Sequence, residues 1–107
     1  MVGMTYNCKR TGAEPTHLSS MILALDDVAM KLLIDNTPIN NCFASKEDAI
    51  HVETSLSGTL QAYGYNVTAL MTAYQSDPNY QENCNHDDVN WNAHYFGTSI
   101  HPYETMF

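Results

Sequence analysis

The stretch Ser45–Asp77 constrains this chain more than any other. Its apolar residues fall at Ala49, Val52, Leu56, Leu60, Tyr63, Val67, Leu70 and Tyr74. Steps of three and four between them lay one apolar stripe along a helical surface. Ser45, three residues ahead of Asp48, predicts a capped N-terminus with carboxylates at the positive end of the helix dipole. Asp77-Pro78 predicts the stop, because a residue before proline is pushed out of the α region. Two glycines decide how the stretch divides. Gly58 lies on the polar side, where a helix tolerates it. Gly64, followed by Tyr65 and Asn66, reads as a left-handed C′ residue ahead of a fresh cap. The expectation is two helices, about 46–63 and 67–76, rather than one bent helix.

A striped helix needs a partner surface. Thr16 as a cap, then Leu18, Met21, Ile22, Leu25, Val28, Ala29 and Leu32, predict another helix over about residues 17–35, with an Asp27–Lys31 pair on its polar face. Asn36-Thr37-Pro38 ends it. Alternation at Met4–Lys9 and again at Val89–Tyr95 predicts two short strands. The fold class read from these elements is mainly α with a small β element (α+β). About three helices pack on a short two-stranded sheet from the chain ends, in one domain covering residues 1–107. Leu25, Leu32, Val52, Leu56, Leu60, Val67 and Leu70 are expected in one core.

Charge bears on partners. Four Lys+Arg against twelve Asp+Glu give a formal charge of -8. That disfavours direct binding to nucleic acid or to an anionic membrane and allows a partner with a basic surface. Most of the acidity belongs to the second half: residues 45–107 carry only Lys46 against eight carboxylates. No apolar run approaches the roughly 18 residues of a membrane span, and no charged-then-apolar leader opens the sequence. A cytoplasmic protein is expected. Its cysteines, Cys8, Cys42 and Cys84, are then expected as reduced thiols, with one bridge plus a free thiol as the alternative.

No motif announces a reaction. Gly-rich phosphate loops and nucleophile elbows are missing from the sequence. Cys84-Asn85-His86, with His94 downstream, holds the ligand types of a zinc site. Cys-x-His lacks a second close pair, so Cys84, His86 and His94 are metal candidates only, and neither metal nor cofactor is expected. Nothing local gives Cys84 a base or an oxyanion hole, so the chain reads as no enzyme.

Met4-Thr5-Tyr6-Asn7 and Asp48-Ala49-Ile50-His51 resemble short segments of a phage anti-restriction family that mimics DNA. The resemblance covers under a tenth of the chain, which is far less acidic than that family and lacks its acidic C-terminal run. It implies inhibition through negative charge.

The function expected is therefore that of a small acidic interaction protein, a phage-type inhibitor occupying a basic, nucleic-acid-binding surface of a host protein. Its partner-binding residues are Glu47, Asp48, Glu53, Asp87 and Asp88, with the aromatic Trp91, Tyr95 and Phe96. Two alternatives stand beside it. One is a structural or virion assembly subunit packing through the aromatic C-terminal segment. The other is a small-ligand or metal binder using the His/Cys/Tyr-rich tail. The apolar surface of so small a domain also suggests a homo-oligomer.

Overall fold

The computed structural model describes residues 1–8, 15–86 and 88–104. Its architecture is α+β. Strand β1 (Val2–Gly3) lies between β4 (Leu23–Ala24), antiparallel, and β5 (Thr68–Ala69), parallel. Strands β2 (Tyr6–Asn7) and β3 (His17–Leu18) form a separate antiparallel pair. Between β4 and β5 run the two longer helices, α1 (Asp27–Asn36) and α2 (Lys46–Ala62). Two short helices follow β5, α3 (Thr72–Ser76) and α4 (Tyr80–Asn83), and Pro102–Glu104 makes one 3₁₀ turn.

Helix α2 begins and ends as its sequence dictates. The Ser45 hydroxyl accepts the Asp48 N–H at 3.1 Å. At the other end Gly64 takes φ +84°, its N–H reaches the Gln61 carbonyl at 2.9 Å, and the Tyr65 N–H reaches the Leu60 carbonyl at 3.0 Å. Those two bonds satisfy carbonyls that the helix end would leave open. The chain past Gly64 does not resume a helix at once. It runs parallel to the N-terminus, with Thr68, Leu70 and Met71 N–H groups donating to the carbonyls of Met1, Gly3 and Met4. Val67-Thr68, both β-branched, suit that extended course, so the predicted helix over 67–76 is cut to 72–76.

The predicted helix over 17–35 is likewise shortened, to 27–36. Asp26 is the real cap, its carboxylate accepting the Ala29 N–H at 2.7 Å. The spacing of Leu18, Met21, Ile22 and Leu25 also fits two strand pieces joined by a turn. The ion pair on α1 is Lys31–Asp35 at 2.9 Å, in place of Asp27–Lys31. The alternating run 89–95 forms turns rather than a strand; only an isolated bridge joins Tyr95 to Thr98. Of the predicted strand Met4–Lys9, Tyr6–Asn7 is β2 and pairs with His17–Leu18. Val2–Gly3 before it pairs with residues 23–24 and 68–69, so the partners found lie outside the tail.

The expected single core is two clusters. Ala29, Leu33, Val52, Leu56 and Leu60 close the α1–α2 contact. Tyr6, Cys8, Leu18, Val67, Ala69, Met71, Tyr80 and Val89 form the other. Met1 and Leu23 pack against both. Leu25 and Leu32 are only partly buried against the first, and Leu70 is 49% exposed. No helix among the described residues is long and apolar enough to cross a membrane.

Candidate functional site

Glu47 and Asp48 occupy the exposed first turn of α2, where the dipole already favours them. Asp48 also accepts the Ser45 hydroxyl at 2.7 Å. Glu53, further along α2, is half-buried and accepts the Ser20 hydroxyl at 2.5 Å. Asp88 caps its own turn: one carboxylate oxygen accepts the Asn90 backbone N–H at 3.0 Å and the Asn90 amide at 2.7 Å. Asn90 in turn accepts from the Thr5 hydroxyl and donates to the Ser19 hydroxyl, each at 3.2 Å. Through Ser19-Ser20 the structure links Glu53 with Asp88. Glu47 and Asp48 stay apart at the helix start. Asp87 lies outside the described residues.

The three aromatic candidates differ in exposure. Trp91 is 68% and Phe96 66% exposed. Tyr95 is half-buried, donating to Glu104 at 2.6 Å and accepting the Ala73 N–H at 3.3 Å. Burial and the bond to Glu104 raise the Tyr95 hydroxyl to about 12. The same bond holds the Glu104 carboxyl below the usual range. Ring contacts join Tyr95 to Phe96 at 5.0 Å and Phe96 to His86 at 5.3 Å. Phe96 adopts a left-handed φ of 51°, uncommon outside glycine.

The metal candidates resolve differently from expectation. Cys84 is bonded to Cys8, with Cα atoms 5.6 Å apart, so neither sulfur is a free thiolate. The reading of three reduced thiols is overturned for this pair, and only Cys42 is free and exposed. His86 leans on the bridge, its Nε2 3.4 Å from the Cys8 sulfur and in contact with the Tyr80 hydroxyl. His94 is exposed in the following turn. Among the described residues no three His, Cys, Asp or Glu groups are placed to hold a metal.

Sequence reasoning named Cys8, Cys84 and His86 and allowed one bridge as the alternative, but did not place Cys8 with Cys84 or bring Tyr80 to His86. A partner 76 residues away carries no local signal. Beside the bridge lies a cavity of about 260 Å³, lined by Tyr80, Cys84 and His86 together with Ala73, Asp77, Asn83, Asn85 and Phe96, and not by Cys8. Burial pushes the Tyr80 hydroxyl well above its ordinary value, helped by Tyr95 and Asp77, so it stays a neutral phenol. Comparison with protein-family models, with curated proteins and with solved structures found no match to this chain.

Proposed function

We propose that this chain is a small, non-enzymatic acidic interaction protein that occupies a basic surface of another protein. The surface is of the kind that otherwise takes nucleic acid, and the action is that of a phage-type inhibitor. The observation that carries the reading is the scarcity of counter-charge among the described residues. Glu47, Asp48 and Glu82 are exposed, the whole sequence has four Lys+Arg, and Lys31–Asp35 is the ion pair found among the described residues. Unneutralised carboxylates steer a basic partner and reject nucleic acid. The reading places the action in the cytoplasm, where disulfides are uncommon and exchangeable, so the state of the Cys8–Cys84 bridge is a second variable.

The test is competition. A basic partner captured from host extract should release this chain when duplex DNA is added, and bind it more weakly as salt rises. Capture indifferent to both DNA and salt contradicts the proposal.

One observation favours a second reading. Trp91 and Phe96 expose more apolar area than a turn needs. An assembly subunit, or a homo-oligomer, packing through them would bind independently of salt and lose binding on Trp91→Ala.

A further inference from the structure

We propose that the Cys8–Cys84 bridge is a thiol-exchange site, at which Cys84 takes a low-molecular-weight aminothiol from the adjoining cavity while His86 receives the leaving sulfur of Cys8. This goes beyond the charge-based reading and does not depend on it.

The two sulfurs are placed asymmetrically. Cys8 is 4% exposed and packed in the tyrosine-rich cluster, whereas Cys84 is half-buried and lines the cavity of about 260 Å³. An incoming thiolate therefore meets Cys84. The S–S bond breaks, a new S–S bond forms between Cys84 and the incoming sulfur, and the electron pair leaves on Cys8. A thiolate in that buried setting is costly without a partner. His86 supplies one: its Nε2 lies 3.4 Å from the Cys8 sulfur, where an N–H can donate to the departing thiolate, and also contacts the Tyr80 hydroxyl. The proton released when the aminothiol ionises returns through His86 or solvent to Cys8. No further oxidant is needed, since the bridge is itself the oxidant and the product is a mixed disulfide plus one thiol.

The cavity also selects. It is smaller than the roughly 300–1,000 Å³ of a drug-sized site, which fits a short thiol. Its titratable groups are Asp77, Tyr80 and His86. The Asp77 carboxylate accepts from the Asn79 N–H at 2.8 Å and the Asn83 amide at 3.4 Å and supplies the negative charge. An ammonium beside the thiol answers that charge.

The experiment uses the full chain with Cys42 alkylated beforehand. Cysteamine and the neutral 2-mercaptoethanol are each added under native conditions, quenched with acid, and the adduct is located by peptide mass mapping. Rates are expressed per thiolate. The expected result is an adduct on Cys84, a faster reaction with cysteamine, and a rate about tenfold lower in His86→Gln, the loss of one charge-assisted hydrogen bond. A merely structural His86 would give the opposite sign, because loosening the fold exposes the bridge and speeds reduction. An adduct on Cys8, equal rates for the two thiols, or a His86→Gln rate equal to or above that of the unaltered chain would overturn the proposal. The adduct map needs no variant and stands whether or not His86→Gln folds.

Discussion

The Ser57 hydroxyl accepts the backbone N–H of Leu18 at 3.3 Å, locking α2 onto strand β3 with a buried polar contact. In an antiparallel ladder residues alternate between bonded and non-bonded pairs. The Ser19 N–H goes to the Thr5 carbonyl at 3.0 Å, so the Leu18 N–H points away from β2 and needs another acceptor. Ser57→Ala should leave that N–H unsatisfied and lower stability by about 1–3 kcal/mol. Urea denaturation measures it, and a loss below about 0.5 kcal/mol would show that water takes the place of Ser57 without penalty.

The two glycines of the α2 region should respond in opposite directions. Gly58 is helical, and a methyl group added there would meet nothing within 4 Å, so Gly58→Ala should stabilise by about 0.5–1 kcal/mol. Gly64 holds φ +84° at the C′ position, so Gly64→Ala should destabilise by about 1 kcal/mol. Thermal melts of the pair compare them directly.

Burial separates two leucines that share the same sequence stripe. Leu60 is 0% exposed inside the α1–α2 cluster, and Leu60→Ala should cost about 2–5 kcal/mol. Leu70→Ala, at a half-exposed site, should cost far less, within about 0.5–1 kcal/mol. Denaturant titration of both variants measures the difference.

These leucines also mark how far the sequence could be read. Where one helix face meets another, as at Val52, Leu56 and Leu60, the three–four spacing names the buried residues correctly. Past Gly64 the spacing continues in phase at Val67, Leu70 and Tyr74, yet the backbone is extended at Thr68–Ala69. Pairing with β1 outweighs the periodic pattern, and that pairing is set by a strand more than 60 residues earlier. Leu18 and Leu25 misled in the same manner, and α1 starts only at Asp27, behind the Asp26 cap. Thr54 and Ser57 gave no signal as buried positions, because a hydroxyl carries no apolar periodicity even where, as at Ser57, it faces β3. Of the candidate site, Glu47, Asp48, Trp91 and Phe96 lie exposed. Asp88 caps a local turn through Asn90, whereas the pairing of Cys84 with Cys8 spans 76 residues.

Acid should loosen the tail before the rest of the fold. Glu104 is held as a carboxylate by the Tyr95 hydroxyl and the Thr72 N–H, with its pKa below the unfolded value. A depressed carboxyl contributes stability above its unfolded pKa and loses it as pH falls through the folded one. Proton NMR of the Tyr95 and Tyr103 rings should report undocking of residues 102–104 as pH falls below the ordinary glutamate range. Tyr95→Phe should move that transition to higher pH, and an unchanged midpoint would contradict the assignment.

The central claim, that exposed carboxylates on this chain meet a basic partner, is tested most directly by association kinetics of Glu47→Gln/Asp48→Asn across a salt series. Both positions lie in the exposed first turn of α2, and Asn retains an acceptor for the Ser45 hydroxyl. The account predicts that the variant folds with the same circular dichroism, associates several-fold more slowly at low salt, and shows a shallower salt dependence. An association rate and salt dependence equal to those of the unaltered chain would contradict it.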